Sequence, residues 1–327
     1  MCYSAMVLQS QRKLGIRFKA RIDYEEYSNL FSRRLDGEKL ILNKGIEFDF
    51  VDDPKNPEEK KLKKIIETWH TNEVSRLEAE IFKQKERFAN AERALKTKTT
   101  KKAQEDLRIS TNKVEKAKSD LKRHGTHQLK SDSDSRIFPF HYLSMLTLND
   151  DGEKVIAPFR YLMRPHDKDE SFDREYGGCY NARFDNLKRV AFWKDSLEKR
   201  RGLILVKKFY ENVAVQEYLK HHKLPNEKQA DENMVLCFEP DNVEYMFIPT
   251  LWDVWKKKGE SPLYSTALIT DEPLPEIAQA GHDRTPIFLK ESAIDAWLGA
   301  QSAADAIQIL GERERPHYSH KVIGAVA

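Results

Sequence analysis

Cysteine is scarce in this sequence, which has only Cys2, Cys179 and Cys237 among its 327 residues. Three scattered cysteines form neither a disulfide framework nor a metal-binding spacing, and an odd number suits a reducing compartment. The sequence also lacks an apolar run of about 18 residues, which excludes a membrane-spanning helix, and its start does not resemble a signal peptide. We therefore expect a soluble cytoplasmic protein without a metal or a cofactor.

Proline and glycine are missing from one long stretch, with no proline between Pro57 and Pro139 and no glycine between Gly45 and Gly125. Steps of three, four and seven residues, such as those separating its apolar positions, place side chains on one face of a helix. The stretch therefore predicts an antiparallel helical hairpin over residues 53–136, broken at the polar tract Lys96–Lys102. The apolar positions are Val74, Leu77, Ile81, Phe88, Ala91 and Leu95, then Ala103, Leu107, Val114, Ala117 and Leu121.

The rest of the chain is typical of an α+β core, formed by residues 1–52 and 137–327 and interrupted by the hairpin. Runs rich in β-branched and aromatic residues predict strands. These runs are Arg17–Ile22, Val155–Tyr161, Gly202–Val206, Leu263–Thr270, and a β-hairpin pair, Val235–Glu239 and Tyr245–Pro249, joined across Asp241–Asn242. Helices are predicted at Tyr24–Leu35, Leu187–Glu198 and Ile294–Ile309.

Charge does not identify a partner, because 56 Lys and Arg against 53 Asp and Glu give a net charge of only +3. A value this small does not predict nucleic-acid binding unless the cations cluster. Lysines do cluster in residues 60–64 and 96–102 of the hairpin. Such runs either lie along DNA or form the solvated face of a helix, and we favour the solvated face.

Cys2 is the first candidate for a reactive residue because of its position. Removal of Met1 would leave an α-amine and a thiol on adjacent carbons. This aminothiol condenses with an aldehyde to an imine, and the sulfur then closes a thiazolidine ring with the high effective molarity of an intramolecular step. An α-amine titrates at about 7.7–8.0, so part of it is neutral near pH 7.

Three further motifs carry candidate functional side chains: Asn181-Ala182-Arg183, Phe209-Tyr210-Glu211 and Gly281-His282-Asp283-Arg284-Thr285-Pro286. Glu211 could relay protons if burial raises the pKa of its carboxyl group. Arg183 and Arg284 suit phosphate contacts, since a guanidinium matches phosphate oxygens. Each residue also has a plain structural alternative, such as a strand-end carboxylate, a loop histidine or a solvated arginine.

Taken together and in this order, Met1-Cys2 and these three motifs resemble the SOS-response-associated peptidase (SRAP) family, the abasic-site sensors that crosslink to DNA. The resemblance covers the core and not the helical hairpin, which we also call the arm. It implies a compact α+β core of twisted antiparallel sheets with flanking helices, here interrupted by the helical hairpin. It also implies a monomer that binds single-stranded DNA containing abasic sites, lies on the nucleoid when bound, and removes its own Met1.

The resemblance also implies a role for each site residue. Cys2 would be the nucleophile through both amine and sulfur, Asn181 would orient the amine, Glu211 would shuttle protons, and His282 would stabilise or protonate the opened sugar. The implied DNA contacts are Arg183, Arg284, Tyr161 and Thr270.

The chain departs from the family pattern at four places. Tyr3-Ser4 replaces Gly-Arg after the cysteine, so one phosphate-binding arginine is missing. Asn212 replaces the tryptophan after the glutamate, Tyr161-Leu162 replaces Trp-Gly, and Thr285 replaces a methionine.

Two other functions remain open. An amidohydrolase with an N-terminal cysteine would use the thiolate to attack a carbonyl and the α-amine as its base. A non-enzymatic protein would bind DNA or a protein partner through the helical arm, with the core as a scaffold.

Overall fold

The computed structural model describes residues 3–124, 128–129, 131–175, 179–222 and 233–325. The chain divides into two compact units, one of Met1–Tyr27, Leu40–Asp49 and Lys130–Ala327, the other of Ser28–Lys39 and Phe50–Leu129. The boundaries expected from the sequence, a core of residues 1–52 and 137–327 with a hairpin of residues 53–136, stay a prediction. Compact units do not show which segments fold independently.

The described residues contain twelve strands and eleven α-helices. The strands are β1 Ser4–Val7, β2 Arg21–Ile22, β3 Arg136–Ile137, β4 Tyr142–Leu148, β5 Lys154–Tyr161, β6 Asn181–Arg183, β7 Arg201–Ala214, β8 Asn233–Pro240, β9 Met246–Trp255, β10 Leu263–Asp271, β11 Thr285–Pro286 and β12 Tyr318–Ala325. The helices are α1 Gln11–Phe18, α2 Tyr24–Leu35, α3 Lys44–Asp52, α4 Pro57–Thr97, α5 Lys101–His124, α6 Phe172–Glu175, α7 Ala191–Lys199, α8 Val215–Leu219, α9 Pro275–Gln279, α10 Ile294–Leu298 and α11 Ala303–Gly311.

All twelve strands belong to one sheet, with the long strand β7 at its centre. The first half of β7 pairs with β4 and β9, and its second half pairs with β1 and β8. These pairings are antiparallel, whereas the pairs β2–β5, β5–β10 and β6–β10 are parallel. The predicted α+β class, with a mainly antiparallel sheet, flanking helices and a helical hairpin, is confirmed.

The strand predicted at Arg17–Ile22 is wrong in its first half, because α1 continues to Phe18. Ser10 caps this helix by accepting a hydrogen bond from the backbone N–H of Lys13 at 3.2 Å. Leu14 and Phe18, one helical turn apart, are both buried. The short apolar alternation at residues 16–22 thus comes from a helix end followed by the two-residue strand β2.

The β-hairpin predicted across Asp241–Asn242 is also wrong. Strands β8 and β9 do not pair with each other; β8 pairs with β7 and β12, and β9 pairs with β7 and β10. Both lie along the same long strand, one after the other. The single helix predicted at Ile294–Ile309 is likewise two helices, α10 and α11, separated at Gly299–Ser302.

The second unit contains the predicted hairpin, formed by α4 and α5. His70 contacts His124 with 2.8 Å between their Nδ1 atoms, and Arg87 forms an ion pair with Asp106, so the two helices run antiparallel. Continuing this register places three buried pairs along the seam: Leu77 with Ala117, Gln84 with Ser110, and Ala91 with Ala103. Each pair contains at least one small side chain, namely Ala117, Ser110 or Ala103.

Arg201, the first residue of β7, joins the sheet to the ends of two helices. Its Nη1 donates to the carbonyl oxygens of Leu197 at 2.6 Å and Glu198 at 2.7 Å, near the end of α7. Its Nε donates to Trp297 O at 2.9 Å, and its Nη2 donates to the carbonyl oxygens of Leu298 and Ala300, at the end of α10. One buried cation thus satisfies carbonyl groups that helix termini otherwise leave without partners.

Replacement of Arg201 tests this connection. We expect Arg201→Met to lower the free energy of unfolding by about 3 kcal/mol, because several buried carbonyl groups lose their donors. Arg201→Lys should recover only part of this loss, since an ammonium group lacks the planar fork of donors. Urea unfolding measures both, with Lys199→Met as an exposed control that removes the same charge. Equal stability of Arg201→Met and this control would contradict the expectation.

Candidate functional site

The pairing of β1 with β7 brings the start of the described chain to Glu211. Ser4 pairs with Tyr210 and Ala5 with Phe209, so Tyr3 lies opposite Glu211. The backbone N–H of Tyr3 donates to Oε2 of Glu211 at 3.3 Å. The carboxyl group itself is only 1% exposed.

His282 reaches the same carboxyl oxygen from the turn after α9. The backbone N–H of His282 donates to the carbonyl of Ile277 at 3.1 Å, which closes the turn. Gly281 has φ 88°, and a Cβ there would lie 2.8 Å from Val213 Cγ1, so only glycine fits. The turn holds His282 Nε2 at 2.9 Å from Glu211 Oε2.

The tautomer of His282 follows from its other ring nitrogen. The backbone N–H of Asp283 donates to Nδ1 at 3.0 Å, so Nδ1 is an acceptor. A neutral imidazole then carries its proton on Nε2. His282 therefore donates to Glu211.

Burial favours the neutral form of both members of this pair. It raises the pKa of Glu211 well above its ordinary value and lowers the pKa of His282 to about 4. Oε2 of Glu211 already accepts two N–H groups, whereas Oε1 is buried and has no hydrogen-bond partner among the described residues. The carboxyl proton therefore belongs on Oε1, which can donate it to a reacting group.

Two of the other predicted site residues lie beside strand β10. Asn181 begins β6, pairs in parallel register with Leu268, and is largely buried. Arg183, at the end of β6, pairs with Thr270 and forms a surface ion pair with Asp185 at 3.1 Å. The guanidinium of Arg183 is thus available at the surface, whereas Thr270 is fully buried.

The remaining predicted residues differ in exposure. Arg284 is buried next to the His282 turn, and its ion-pair partner among the described residues is the carboxylate of Asp283, at 4.0 Å. The Tyr161 ring is fully buried and packs edge-to-face on Tyr180, so neither ring face meets solvent in this conformation. Cys2 lies outside the described residues.

Neither a metal site nor a membrane-spanning helix occurs in the part of the chain that the structure describes. No group of three or more His, Cys, Asp or Glu side chains there could hold a metal ion. No described helix is long and apolar enough to cross a membrane.

A comparison with models of known protein families shows which family the chain belongs to. The family model "SOS response associated peptidase (SRAP)" matches residues 85–326. The chain belongs to this family. The match begins within α4, so it includes Asn181, Glu211 and His282 but not the first 84 residues.

Comparisons with individual proteins give weaker resemblances. No curated protein matches the sequence. A protein from Bacteroides thetaiotaomicron is similar at 15% identity and a TM-score of 0.45, over 58% of this chain and 77% of its own. A phage-related protein from Bordetella bronchiseptica is similar at 18% identity and a TM-score of 0.45, over 60% of this chain and 84% of its own.

Arg136 is a site neighbour that the sequence did not indicate. Its Nε and Nη2 donate to Ser4 Oγ at 3.0 and 2.7 Å, and its guanidinium stacks on Tyr210 at 3.6 Å. Arg136 thus places a guanidinium directly against Ser4. The Tyr3 ring, 39% exposed, packs edge-to-face on Phe138 at 5.7 Å. No local pattern links Arg136 to Ser4, since 132 positions separate them.

The raised pKa of Glu211 predicts a pH-dependent gain in stability for Glu211→Gln. At low pH the carboxyl is protonated in both the folded and the unfolded chain. As pH rises, the unfolded chain loses this proton first, so the folded parent loses stability until pH passes the folded-state pKa. The neutral amide has no such loss, and its advantage should grow with pH, reaching a Tm difference of about 2 °C or more at pH 8.

Thermal unfolding of the parent and Glu211→Gln between pH 5 and 8 measures this difference. The exposed substitution Glu312→Gln is the matched control and should show a constant offset. A Tm difference for Glu211→Gln that does not change with pH would mean that the folded-state pKa of Glu211 is ordinary.

Proposed function

We propose that this protein captures the aldehyde of ring-opened abasic sites in single-stranded DNA through Cys2, after Met1 has been removed. The hydrogen bond from Tyr3 N–H to Glu211 Oε2 carries the proposal. The donating nitrogen is that of the Cys2–Tyr3 peptide bond. The buried Glu211–His282 pair is therefore hydrogen-bonded to the residue directly attached to the proposed nucleophile.

The reaction needs no oxidant or reductant. The α-amine of Cys2 attacks the aldehyde carbon, a C–N bond forms, and the carbonyl oxygen becomes the hydroxyl of a carbinolamine. This hydroxyl leaves as water and gives an imine. The thiol then adds to the imine carbon and passes its proton to the nitrogen, which closes the thiazolidine ring. Aldehyde and aminothiol thus yield the crosslink and one molecule of water.

Loss of water is the step that needs an acid, and Glu211 suits this role. Burial raises the pKa of its carboxyl group, which favours the protonated acid, and Oε1 has no hydrogen-bond partner among the described residues, so it is the oxygen placed to donate the proton. His282 stays neutral and donates Nε2–H to Oε2, which holds the carboxyl orientation fixed. The same acid could protonate the amine that leaves when water hydrolyses the Met1–Cys2 peptide bond.

Binding of the DNA strand would use the cations around this site. Arg183 offers an exposed guanidinium, and Arg284 is a buried cation whose ion-pair partner among the described residues is 4.0 Å away. Arg136 adds a third guanidinium on β3, next to β1. We propose that these arginines contact phosphates beside the lesion, while Asn181 orients the amine. A use of Tyr161 or Thr270 in DNA contact would need a change in their burial.

Substitution of Cys2 is the main test. Cys2→Ala should abolish the denaturant-stable adduct with single-stranded DNA that contains an abasic site, because no thiol remains to close the ring. Both Cys2→Ala and Cys2→Ser keep the α-amine, so each should leave a slower link that borohydride traps as a reduced imine. Denaturing gels measure both adducts, and Cys179→Ala is the control that removes a different thiol. Parental crosslinking by Cys2→Ala would reject the proposal, and turnover of a glutamine-like amide would favour an amidohydrolase instead.

Substitution of Glu211 tests its proposed role as the general acid. Glu211→Gln should slow adduct formation by about 10²–10⁴-fold, the usual contribution of a positioned general acid or base. The apparent affinity for undamaged DNA should be unchanged, since the buried side chain does not reach a phosphate. Single-turnover crosslinking and fluorescence anisotropy give the two values. A loss of affinity with a normal rate would assign Glu211 to DNA binding.

A further inference from the structure

The tip of the helical hairpin carries an unusual local excess of positive charge. Five cations occur between Glu92 and Glu105 with no Asp or Glu among them. All five are exposed, and none forms an ion pair with a carboxylate of the described residues. These cations, the hairpin tip, are Arg93, Lys96, Lys98, Lys101 and Lys102.

The rest of the hairpin balances its charges. Arg76 pairs with Glu73 at 2.8 Å and also interacts with Glu80 and Asp120. Arg87 pairs with Asp106 across the two helices. Among the contacts of the described residues, Arg93 is the one tip cation whose side chain donates hydrogen bonds, and its acceptors, Ala89 O and Asn90 Oδ1, are uncharged. The excess at the tip is therefore a local feature and not a property of the whole helix surface.

Charge is also divided unequally along the chain. Residues 57–124 contain 19 Lys and Arg against 12 Asp and Glu, a net charge of +7, although the whole chain has only +3. The remainder is therefore net negative, at −4. The hairpin is therefore basic although the net charge of the whole chain is small.

The start of α5 adds to the positive potential at the tip. Thr100 caps this 24-residue helix by accepting a hydrogen bond from Ala103 N–H at 3.2 Å. The first turn contains no acidic residue, although acidic side chains usually offset the positive end of the helix dipole. The first residues of α5 are instead Lys101 and Lys102. An anionic ligand would be attracted by both the side chains and the helix end.

We propose that the hairpin tip binds the phosphodiester backbone of nucleic acid, as a contact in addition to those of the lesion site. The choice of DNA rests on the proposed function; the preference for a polyanion rests on the charges alone. A membrane surface fits less well, because binding there also needs large apolar side chains, and Leu95, the one large apolar residue in this segment, is half-buried.

The test compares two triple variants of the full-length protein that change the net charge equally. The tip variant is Lys98→Gln with Lys101→Gln and Lys102→Gln. The shaft variant, its control, is Lys113→Gln with Lys116→Gln and Lys118→Gln, all exposed and interleaved with acidic residues. Fluorescence anisotropy with a long, undamaged single-stranded oligonucleotide gives Kd at several salt concentrations. Undamaged DNA has no aldehyde, so Cys2 chemistry does not enter.

We expect the tip variant to raise Kd on the order of tenfold at low salt, and to reduce the slope of log K against log salt by about 2, since each lost phosphate contact removes about 0.7. The shaft variant should stay close to the parent. Equal slopes and affinities for the two variants would overturn the proposal. So would loss of binding to phosphatidylserine vesicles by the tip variant with unchanged DNA binding, which would assign the tip to membranes.

A second measurement separates this proposal from the proposed function. Crosslinking to a short abasic oligonucleotide, too short to reach a second contact, should be the same for the parent and the tip variant. If the parent forms no crosslink but the tip variant still loses salt-dependent affinity, the proposed function fails and the tip contact stands. If crosslinking is normal and the slopes are equal, the tip contact fails alone.

Discussion

The register of β7 against its neighbours is the constraint on which the site depends. One strand of fourteen residues pairs with β4 and β9 in its first half and with β1 and β8 in its second half. Because side chains alternate between the two faces of a strand, a slip of one residue would turn Glu211 away from Tyr3 and His282. Five strands must therefore align before the buried carboxyl meets its partners.

The same burial gives the site its chemical character. A carboxyl group in water is ionised at neutral pH and is a poor acid, whereas Glu211 lies in a dry environment that favours its protonated form. His282 does not take that proton near neutral pH, because burial lowers the pKa of its imidazole to about 4. Burial thus disfavours charge separation within the pair. The neutral imidazole donates its Nε2–H to the carboxyl group.

Sequence patterns predicted most of the local structure and part of the site. Helix α2 matches the predicted span Tyr24–Leu35, and the hairpin followed from the seven-residue spacing of apolar residues. The pairing of strands was harder to predict from the sequence. The residues of β8 and β9 have the local pattern of a β-hairpin, but each strand pairs with β7 instead. The polar seam pair Gln84 and Ser110 was missed, since an apolar periodicity skips polar positions. Glu211 and His282 were both candidates from their motifs. Their contact depends on a turn 71 positions from Glu211, and no spacing rule predicts it.

The seam of the hairpin limits how such an arm can change in length. Its buried pairs recur every seven residues on both helices, and the polar pair Gln84–Ser110 lies between two apolar ones. An insertion of seven residues in each helix would preserve every pairing, whereas an insertion of one or two would place polar groups against apolar neighbours. Lengthening by whole heptads therefore keeps the seam intact, and each heptad extends the hairpin by about 10 Å at a rise of about 1.5 Å per residue. The length of the hairpin therefore changes in steps of one heptad.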